Sequence, residues 1–177
     1  MAEVGFNIDE FRSKFQGGAR SNLFFYRPMF PGRVSEITTE NAQYLVRATR
    51  LPDSTLEEVL VNWQGYDYKM AGKYTYATFG ITFNVDINSK IRLAYESWMK
   101  MINDPLTNER TLPSEYMVDQ VVYLLDYKGI PSMTYKLYGA WPSNLAEVSL
   151  DYATADVAQF EVVLTYQFHE AFPGKEQ

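Results

Sequence analysis

The sequence contains no cysteine and a single histidine, His169. Without cysteine there is no disulfide framework and no thiol chemistry, a composition that suits assembly in a reducing cytoplasm. His169 has no partner at a metal-ligand spacing, and Asp86-Ile87-Asn88 lacks the glycine and terminal glutamate of a calcium loop. Phosphate-loop, nucleophile-elbow, zinc-protease and dinucleotide motifs are also missing. We therefore expect no enzyme activity, no catalytic residue, no cofactor and no metal.

Basic residues are few: 16 Lys and Arg stand against 22 Asp and Glu, for a net charge of −6. This balance argues against a protein that grips nucleic acid, although it is compatible with a wall that nucleic acid slides past. The simpler interpretation is that acidity confers solubility. No apolar run approaches the length of a membrane span, and residues 1–5 have no basic or apolar signal region, so we expect no membrane anchor and no secretory signal.

Aromatic residues make up 16% of the 177-residue chain, which suits one mainly β domain with large contact surfaces. The last third carries the clearest strand pattern, because Phe160, Val162, Leu164, Tyr166 and Phe168 alternate with polar or smaller residues. The stretch from Tyr74 to Asp86 alternates in the same way. Weaker patterns predict strands at 22–27, 44–50, 56–63, 66–70 and 117–125, with a turn at 71–73.

The stretch Ser89–Asn103 predicts the one good helix, since its apolar residues recur at spacings of three and four. Asn88 or Ser89 is expected to cap its start, and Asp104-Pro105 to end it. We expect residues 1–21 to be an N-terminal arm, in which Phe6 to Phe15 is either a short helix or part of the arm, and residues 106–116 to be a loop. The prediction is one antiparallel β-sandwich or barrel of about eight strands with one flanking helix.

The last third also carries an ordered motif. A strand leads into a predicted turn at Gly139 and Trp141 to Asn144; Glu147 and Leu150 to Tyr152 follow, and then the strand Phe160 to Leu164. Weaker matches occur at Asn22 to Phe24, at Ala48-Thr49 with Leu51-Pro52, and at Lys69 to Lys73. This order resembles the tail tube proteins of T-even-type, contractile-tailed bacteriophages. The motif residues are Gly139, Trp141, Pro142, Asn144, Leu150 and Phe160.

The resemblance implies an assembly. In that family the helix packs on the outer side, about four strands from each subunit enter a shared inner β-barrel, six subunits form a ring, and rings stack into a tube. The implied partners are further copies of the chain, a tail sheath outside, a baseplate or tube initiator and a tail terminator at the ends, and genomic DNA that passes without specific binding. The implied location is the virion tail, assembled in the host bacterial cytoplasm.

Two sets of residues are candidates for contacts in such a tube. The polar strand faces supply candidates for the lumen wall: Thr78, Thr82, Asn84, Glu161, Thr165 and Gln167. The aromatic-rich hairpin at residues 62–76 supplies candidates for ring stacking: Trp63, Tyr66, Tyr68, Tyr74 and Tyr76. A solvated hairpin without a contact is the plainer alternative for this segment. Trp141-Pro142 is expected to fix a tight turn against the core.

Two other functions remain open from the residues. One is the inner tube of a phage-derived contractile injection device or type VI secretion system, which would share the fold but pass protein effectors. The other is a monomeric β-sandwich that binds glycans through exposed aromatic side chains such as Trp63.

Overall fold

The computed structural model describes residues 7–15, 17–34 and 42–174. Its strands are β1 (Phe24–Arg27), β2 (Val46–Thr49), β3 (Ser54–Trp63), β4 (Tyr66–Tyr76), β5 (Phe79–Asn84), β6 (Val118–Leu125), β7 (Pro131–Leu145), β8 (Gln159–Thr165) and β9 (Phe168–Pro173). Its helices are α1 (Ile8–Phe15), α2 (Lys90–Ile102) and the short α3 (Pro113–Tyr116), with a 3-10 helix at Ala42–Leu45. The mainly β, antiparallel fold class is confirmed.

Seven strands form one antiparallel arrangement: six follow the order β1-β6-β7-β8-β5-β2, and the seventh, β9, pairs with β7 beside this path. Strand β7 joins two halves. Its residues 131–140 pair with β6 and in part with β9, whereas residues 141–145 pair with β8. We call β1, β6, β9 and residues 131–140 the first sheet, and residues 141–145, β8, β5 and β2 the second sheet.

The predicted turn at Gly139 to Asn144 is wrong, because β7 continues through this stretch to Leu145. Gly139 has a positive φ of 60°, and Asp119 Oδ1 accepts a hydrogen bond from its N–H at 3.0 Å. The β7–β8 register shifts again between Pro142 and Asn144. Glycine and proline here mark a strand that changes partners rather than a strand that ends.

The core lies between the two sheets, where alternation places one apolar face of each strand. The second sheet contributes Phe79, Ile81, Phe83, Phe160, Val162 and Leu164, all at most 2% exposed, and the first contributes Tyr26, Val122 and Leu137. The stripe of α2 closes this space with Ile91, Ala94, Tyr95 and Trp98. The helix predicted at Ser89–Asn103 is therefore confirmed, and its recurring apolar residues pack in the core.

Neither residue predicted to cap α2 does so through its side chain. Ser89 has a left-handed backbone and makes no side-chain cap, whereas the Asp86 carboxylate accepts the N–H of Lys90 at 3.1 Å. An acidic group at this end also complements the helix dipole. At its other end, α2 stops at Ile102, before Asp104-Pro105 as predicted.

Several predicted boundaries are wrong. Strand β4 runs through the predicted turn at 71–73, because a bulge opposite residues 56–58 absorbs the extra residues. The predicted strand from Tyr74 is two strands, since Tyr74 to Tyr76 complete β4 before β5 begins. The strand Phe160–Phe168 stops at Thr165; Phe168 is 43% exposed and begins β9, which the sequence did not predict. The predicted 106–116 loop contains α3.

Within the described residues, no helix combines the length and apolarity needed to cross a membrane.

Candidate assembly surfaces

The polar side of the second sheet gathers four of the six lumen candidates. Thr82 lies directly opposite Glu161, Asn84 opposite Gln159, and Thr165 opposite Trp141. Directly paired residues point to the same side of an antiparallel sheet, so the polar residues of β5 and those of β8 lie on one side. Thr78 lies in the link before β5, and Gln167 in the link between β8 and β9, so both are outside the paired strands. We call the side that carries Thr82 and Glu161 the polar face.

The polar face also includes residues that were not among the candidates. Val163 pairs with Gly80 and with Asn144. Asn144, a residue of the family motif, therefore lies beside the lumen candidates. A Cβ at Gly80 would lie 2.7 Å from Oε1 of Glu161, so the carboxylate lies directly over the glycine backbone. Strands β5 and β8 contain no lysine or arginine; β2 contributes the exposed Arg47. The alternation of β8 in the sequence is enough to place Val163 on the polar face. Asn144 could be placed there only once β7 was seen to extend through residues 141–145.

The second sheet has two free edges. Among the described residues, β2 pairs only with β5, and residues 141–145 pair only with β8. Free strand edges expose unpaired N–H and C=O groups and readily accept another strand. A four-stranded sheet with one free strand at each side is able to continue into neighbouring copies.

The β3–β4 hairpin forms a separate two-stranded sheet with two unlike faces. One face is apolar: Val59 pairs with Met70, Val61 with Tyr68, and Trp63 with Tyr66. All six of these side chains are between 44% and 76% exposed. We call this set the hairpin face.

The opposite side of the hairpin is mainly polar. Glu58 and Lys69 form an ion pair of 3.1 Å, and Asn62 donates a hydrogen bond to Asp67 Oδ1 at 2.7 Å. A contiguous exposed apolar face opposite a polar one is typical of an interaction surface. The predicted stacking candidates on this face are Trp63, Tyr66 and Tyr68. The register of β3 with β4 adds Val59, Val61 and Met70, which were not predicted.

The remaining two stacking candidates lie towards the root of the hairpin. Tyr74 is 59% exposed, and its ring stacks on Tyr76 at 6.1 Å. Tyr76 is half-buried, with its ring 5.3 Å from the ring of His169 and 6.1 Å from that of Tyr166. Tyr76 therefore connects the hairpin to the sandwich.

Burial shifts the pKa values of Tyr166 and His169, which pack beside Tyr76. Desolvation raises the pKa of Tyr166 to about 12, with smaller contributions from Asp53 and Tyr76. Desolvation also lowers the pKa of His169, and the nearby Asp53 carboxylate partly opposes it. The Tyr166 hydroxyl lies 3.5 Å from His169 Nδ1 and 3.4 Å from the carbonyl oxygen of Asp53. His169 is half-buried and packs among three tyrosine rings, those of Tyr76, Tyr135 and Tyr166.

The described residues contain no cluster of three or more His, Cys, Asp or Glu side chains arranged to hold a metal ion. The prominent features are instead a sheet with free edges, its polar face and a projecting apolar hairpin. Such features are typical of subunits that assemble with copies of themselves through β-structure. The chain belongs to the phage tail tube protein family, which it matches over residues 11–171.

Relatives in this family support the assignment along nearly the whole chain. The tail tube protein of Serratia phage KSP90 is 31% identical over 165 residues, which cover 90% of this chain and 93% of the relative. The tail tube protein of Enterobacteria phage T4 is 25% identical over 171 residues, covering 92% and 99%. The predicted phage tail tube protein, a structural component of the virion tail, is confirmed.

Solved structures of contractile injection machines share the fold. A chain of the anti-feeding prophage cap aligns with a TM-score of 0.66 at 14% identity, covering 88% of this chain and 91% of that one. A chain of the sheath-tube complex of the extracellular contractile injection system PVC aligns at 0.61 and 14%, covering 96% and 99%. The fold alone does not separate a phage tube from an injection-device tube; the family match and the phage relatives do.

Proposed function

We propose that this protein forms hexameric rings that stack into a hollow tail tube, through which DNA passes into the host. The observation that carries the proposal is the second sheet, which has four strands, two free edges and one polar face. Pairing of residues 141–145 of one copy with β2 of the next would continue the sheet around the ring. Such closure removes the free edges that a single copy exposes.

The dimensions support a conduit for DNA. Six copies of a four-stranded sheet give 24 strands. At about 4.8 Å between strands and a tilt of about 40°, the barrel is roughly 45–50 Å across between backbones. Inward side chains narrow this space and still leave room for a duplex. The polar face then forms the wall, with Thr82, Asn84 and Glu161 towards the DNA.

The chemistry of the polar face suits passage without binding. The Glu161 carboxylate repels phosphates, and threonine and asparagine side chains add no positive charge. Six copies would repeat Glu161 around each ring. The four strand segments of the second sheet also carry Arg47, so each copy sets one basic group against the carboxylate of Glu161 and the wall has no excess of positive charge to hold the DNA backbone.

Ring stacking is assigned to the hairpin face. In a single copy, this apolar surface of Val59, Val61, Trp63, Tyr66, Tyr68 and Met70 remains exposed. Contact with the adjacent ring would remove it from water, at about 25 cal/mol per Å² of apolar area. A contact between unlike surfaces that does not close on itself produces a filament.

The other partners follow from a tube of this kind. A sheath surrounds it, a baseplate or initiator starts it, and a terminator ends it; the solved structures that share the fold come from baseplate, cap and sheath-tube complexes. The protein acts by assembly in the host cytoplasm, without a catalytic residue or cofactor. Effector transport and glycan binding were the alternatives, and the phage family match favours the DNA tube over both.

Electron microscopy of the purified protein, with light scattering on the same sample, tests the proposal. We expect hollow rings or tubes with six-fold end views and a lumen wide enough for a duplex. The control is the same protein with a baseplate seed, because tube growth can require an initiator. A protein that stays monomeric at every concentration with and without the seed would contradict the proposal, as would a ring with a different number of subunits.

A further inference from the structure

The segment that follows β7 contains a part of the family motif that the sheet and hairpin contacts do not use. Residues 146–158 join β7 to β8 and contain no helix or strand. Val148 packs against the core, whereas Leu150 is 83% exposed and Tyr152 is fully exposed. The motif residue Leu150 therefore contributes nothing to the core of a single copy. We call residues 147–152 the motif segment.

A cleft opens at the other edge of the second sheet, between the edge strands of the two sheets. It has a volume of about 530 Å³, with β1 as one wall and β2 as the other. Its lining combines the ring of Phe25, which is 38% exposed, with the exposed side chain of Arg47. We call it the β1–β2 cleft.

In one copy the motif segment is apart from this cleft. Residues 141–145 and β2 are the two edges of the second sheet, and three strand spacings, about 14 Å, separate them. No residue of the motif segment lines the cleft. An occupant that includes Leu150 and Tyr152 therefore has to come from another copy.

The strand order decides which part of a neighbouring copy lies beside the cleft. From residues 141–145 through β8 and β5 to β2, each adjacent pair is antiparallel, so the first and last of these four strands run in opposite directions. Rotation about a ring axis preserves the direction of a strand along that axis, so residues 141–145 of the next copy run antiparallel to β2. The end of that strand, at Leu145, then lies towards Val46 at the start of β2. The chain that continues beyond it is the motif segment, and it lies beside the cleft that Val46 lines.

The charges of the two surfaces are complementary. The motif segment contains Glu147 and Asp151 and no basic residue. The stretches 20–27 and 43–50, which supply the cleft walls, contain no acidic residue and four arginines: Arg20, Arg27, Arg47 and Arg50. Among the described residues, none of these six side chains forms an ion pair. Opposite charges that have no partner within the subunit favour the correct orientation of a contact between copies.

We propose that the motif segment of each subunit docks in the β1–β2 cleft of the next subunit in the same ring. Leu150 and Tyr152 pack on the ring of Phe25, and the two carboxylates lie beside Arg47. The backbone of β2 pairs with residues 141–145, and the cleft holds the residues that come next in the same neighbour, so both contacts belong to one interface. This inference rests on the proposed ring and adds a side-chain contact to its sheet contact.

Disulfide trapping tests the docking, and the cysteine-free chain provides a clean background. A Phe25→Cys/Leu150→Cys variant is assembled, oxidised gently and run on a non-reducing gel. We expect a ladder of covalently linked copies that stops at six chains, because each copy is linked to two neighbours within one closed ring.

The matched control is Phe25→Cys/Leu106→Cys, which should give no ladder. Leu106 is 85% exposed, close to the value for Leu150, but it lies after the end of α2. The motif segment begins near the start of that helix, where Arg92 Nη1 donates a hydrogen bond to the carbonyl oxygen of Ala146 at 3.0 Å. A 13-residue helix is about 20 Å long, so the two cysteine positions are well separated.

Charge variants measure the contribution of Arg47 without a cross-link. Arg47→Glu and Asp151→Arg each bring like charges together, so the concentration needed for assembly should rise about tenfold. The combined variant Arg47→Glu/Asp151→Arg restores a pair of opposite charges and should assemble within about threefold of the wild-type concentration. The thermal midpoints of all three should match the wild type because both side chains are exposed.

The outcomes separate this inference from the proposed function. Six-fold rings that give no ladder, a cross-link within one chain, or equal cross-linking at Leu106 would overturn the docking while the ring stands. A ladder that continues past six chains would place the contact between rings and also overturn the docking, as would a combined charge variant that assembles no better than the single ones. A ladder that stops at another number of chains would support the docking and contradict the six-fold ring. A wild-type chain that never self-associates would overturn both proposals.

Discussion

The carboxylate of Asp119, on β6, accepts a hydrogen bond from the backbone N–H of Gly139, on β7, at 3.0 Å. This bond lies where β7 leaves the first sheet for the second. Gly139 has a φ of 60°, a region that side chains with a Cβ disfavour, and an added Cβ would meet Gln167 Cγ at 3.2 Å. The two residues together hold the chain in the conformation that lets one strand serve both sheets.

We expect Gly139→Ala to lower the free energy of unfolding by about 1–2 kcal/mol, because the Cβ of alanine is unfavourable in the left-handed backbone conformation. Asp119→Ala should cost about 1 kcal/mol through the lost hydrogen bond. Denaturant unfolding of both variants provides the measurement. Gly32→Ala is the control, since nothing lies within 4 Å of its added Cβ, and should stay within about 0.5 kcal/mol of wild type. A loss of the same size at Gly32 would contradict the argument from backbone conformation.

The two sides of the hairpin provide a matched pair of variants for ring stacking. Val61, on the hairpin face, and Leu60, on the other side, are adjacent and 44% and 53% exposed. Val61→Asp should block tube growth while single rings still form, because a charge would be buried at the stacking contact. Leu60→Asp should still give tubes, as seen by electron microscopy. If both variants stack normally, the hairpin is only a solvated projection.

Much of the sandwich was predictable because its strands alternate strictly. In β5 and β8, one side is core and the other is polar, so the period of two identifies both the strands and their faces. The α2 stripe was predictable for the same reason, at a period of 3.6. The motif around Gly139 identified the family, although its local structure was misread.

The errors in the predicted turns and strands arose where pairing with distant strands, and not the local sequence, decides the structure. The run Gly139-Ala140-Trp141-Pro142 is locally typical of a turn, and only the pairing of β7 with both β6 and β8 shows a continuous strand. Strand β9 was missed because Phe168 continues the alternation of β8; Tyr166 and Gln167 interrupt the strand, and β9 then pairs with residues 133–138 of β7 in the same antiparallel sense as β8 pairs with residues 141–145. The hairpin face was incomplete because only aromatic residues were chosen as candidates, whereas the register that starts at the Gln64-Gly65 turn places Val59, Val61 and Met70 on the same side as Trp63, Tyr66 and Tyr68.

The single histidine provides a pH test of the hairpin root. Burial lowers the pKa of His169 in the folded state, so the unfolded chain binds the proton more readily. This contribution to stability is present above the unfolded value of about 6.5 and is lost as the pH falls below it. We expect the free energy of unfolding to fall between pH 7.5 and 5.5, and His169→Gln to reduce that fall. Equal pH dependence in the two proteins would show that other groups account for it.

Charge reversal on the polar face tests the passage of DNA separately from assembly. Glu161 is exposed and lies outside the core, so Glu161→Lys should leave folding and tube formation intact. Six lysines per ring would attract phosphates at every level of the tube, and DNA should leave the virion more slowly, with the delay relieved by added salt. The measurement is the rate of DNA ejection from phage assembled with the variant. Glu109→Lys, in the exposed loop after α2, makes the same change in net charge and should eject at the wild-type rate. Normal ejection from intact Glu161→Lys tubes would mean that the polar face does not line the lumen, or that DNA does not sense the charge of the wall.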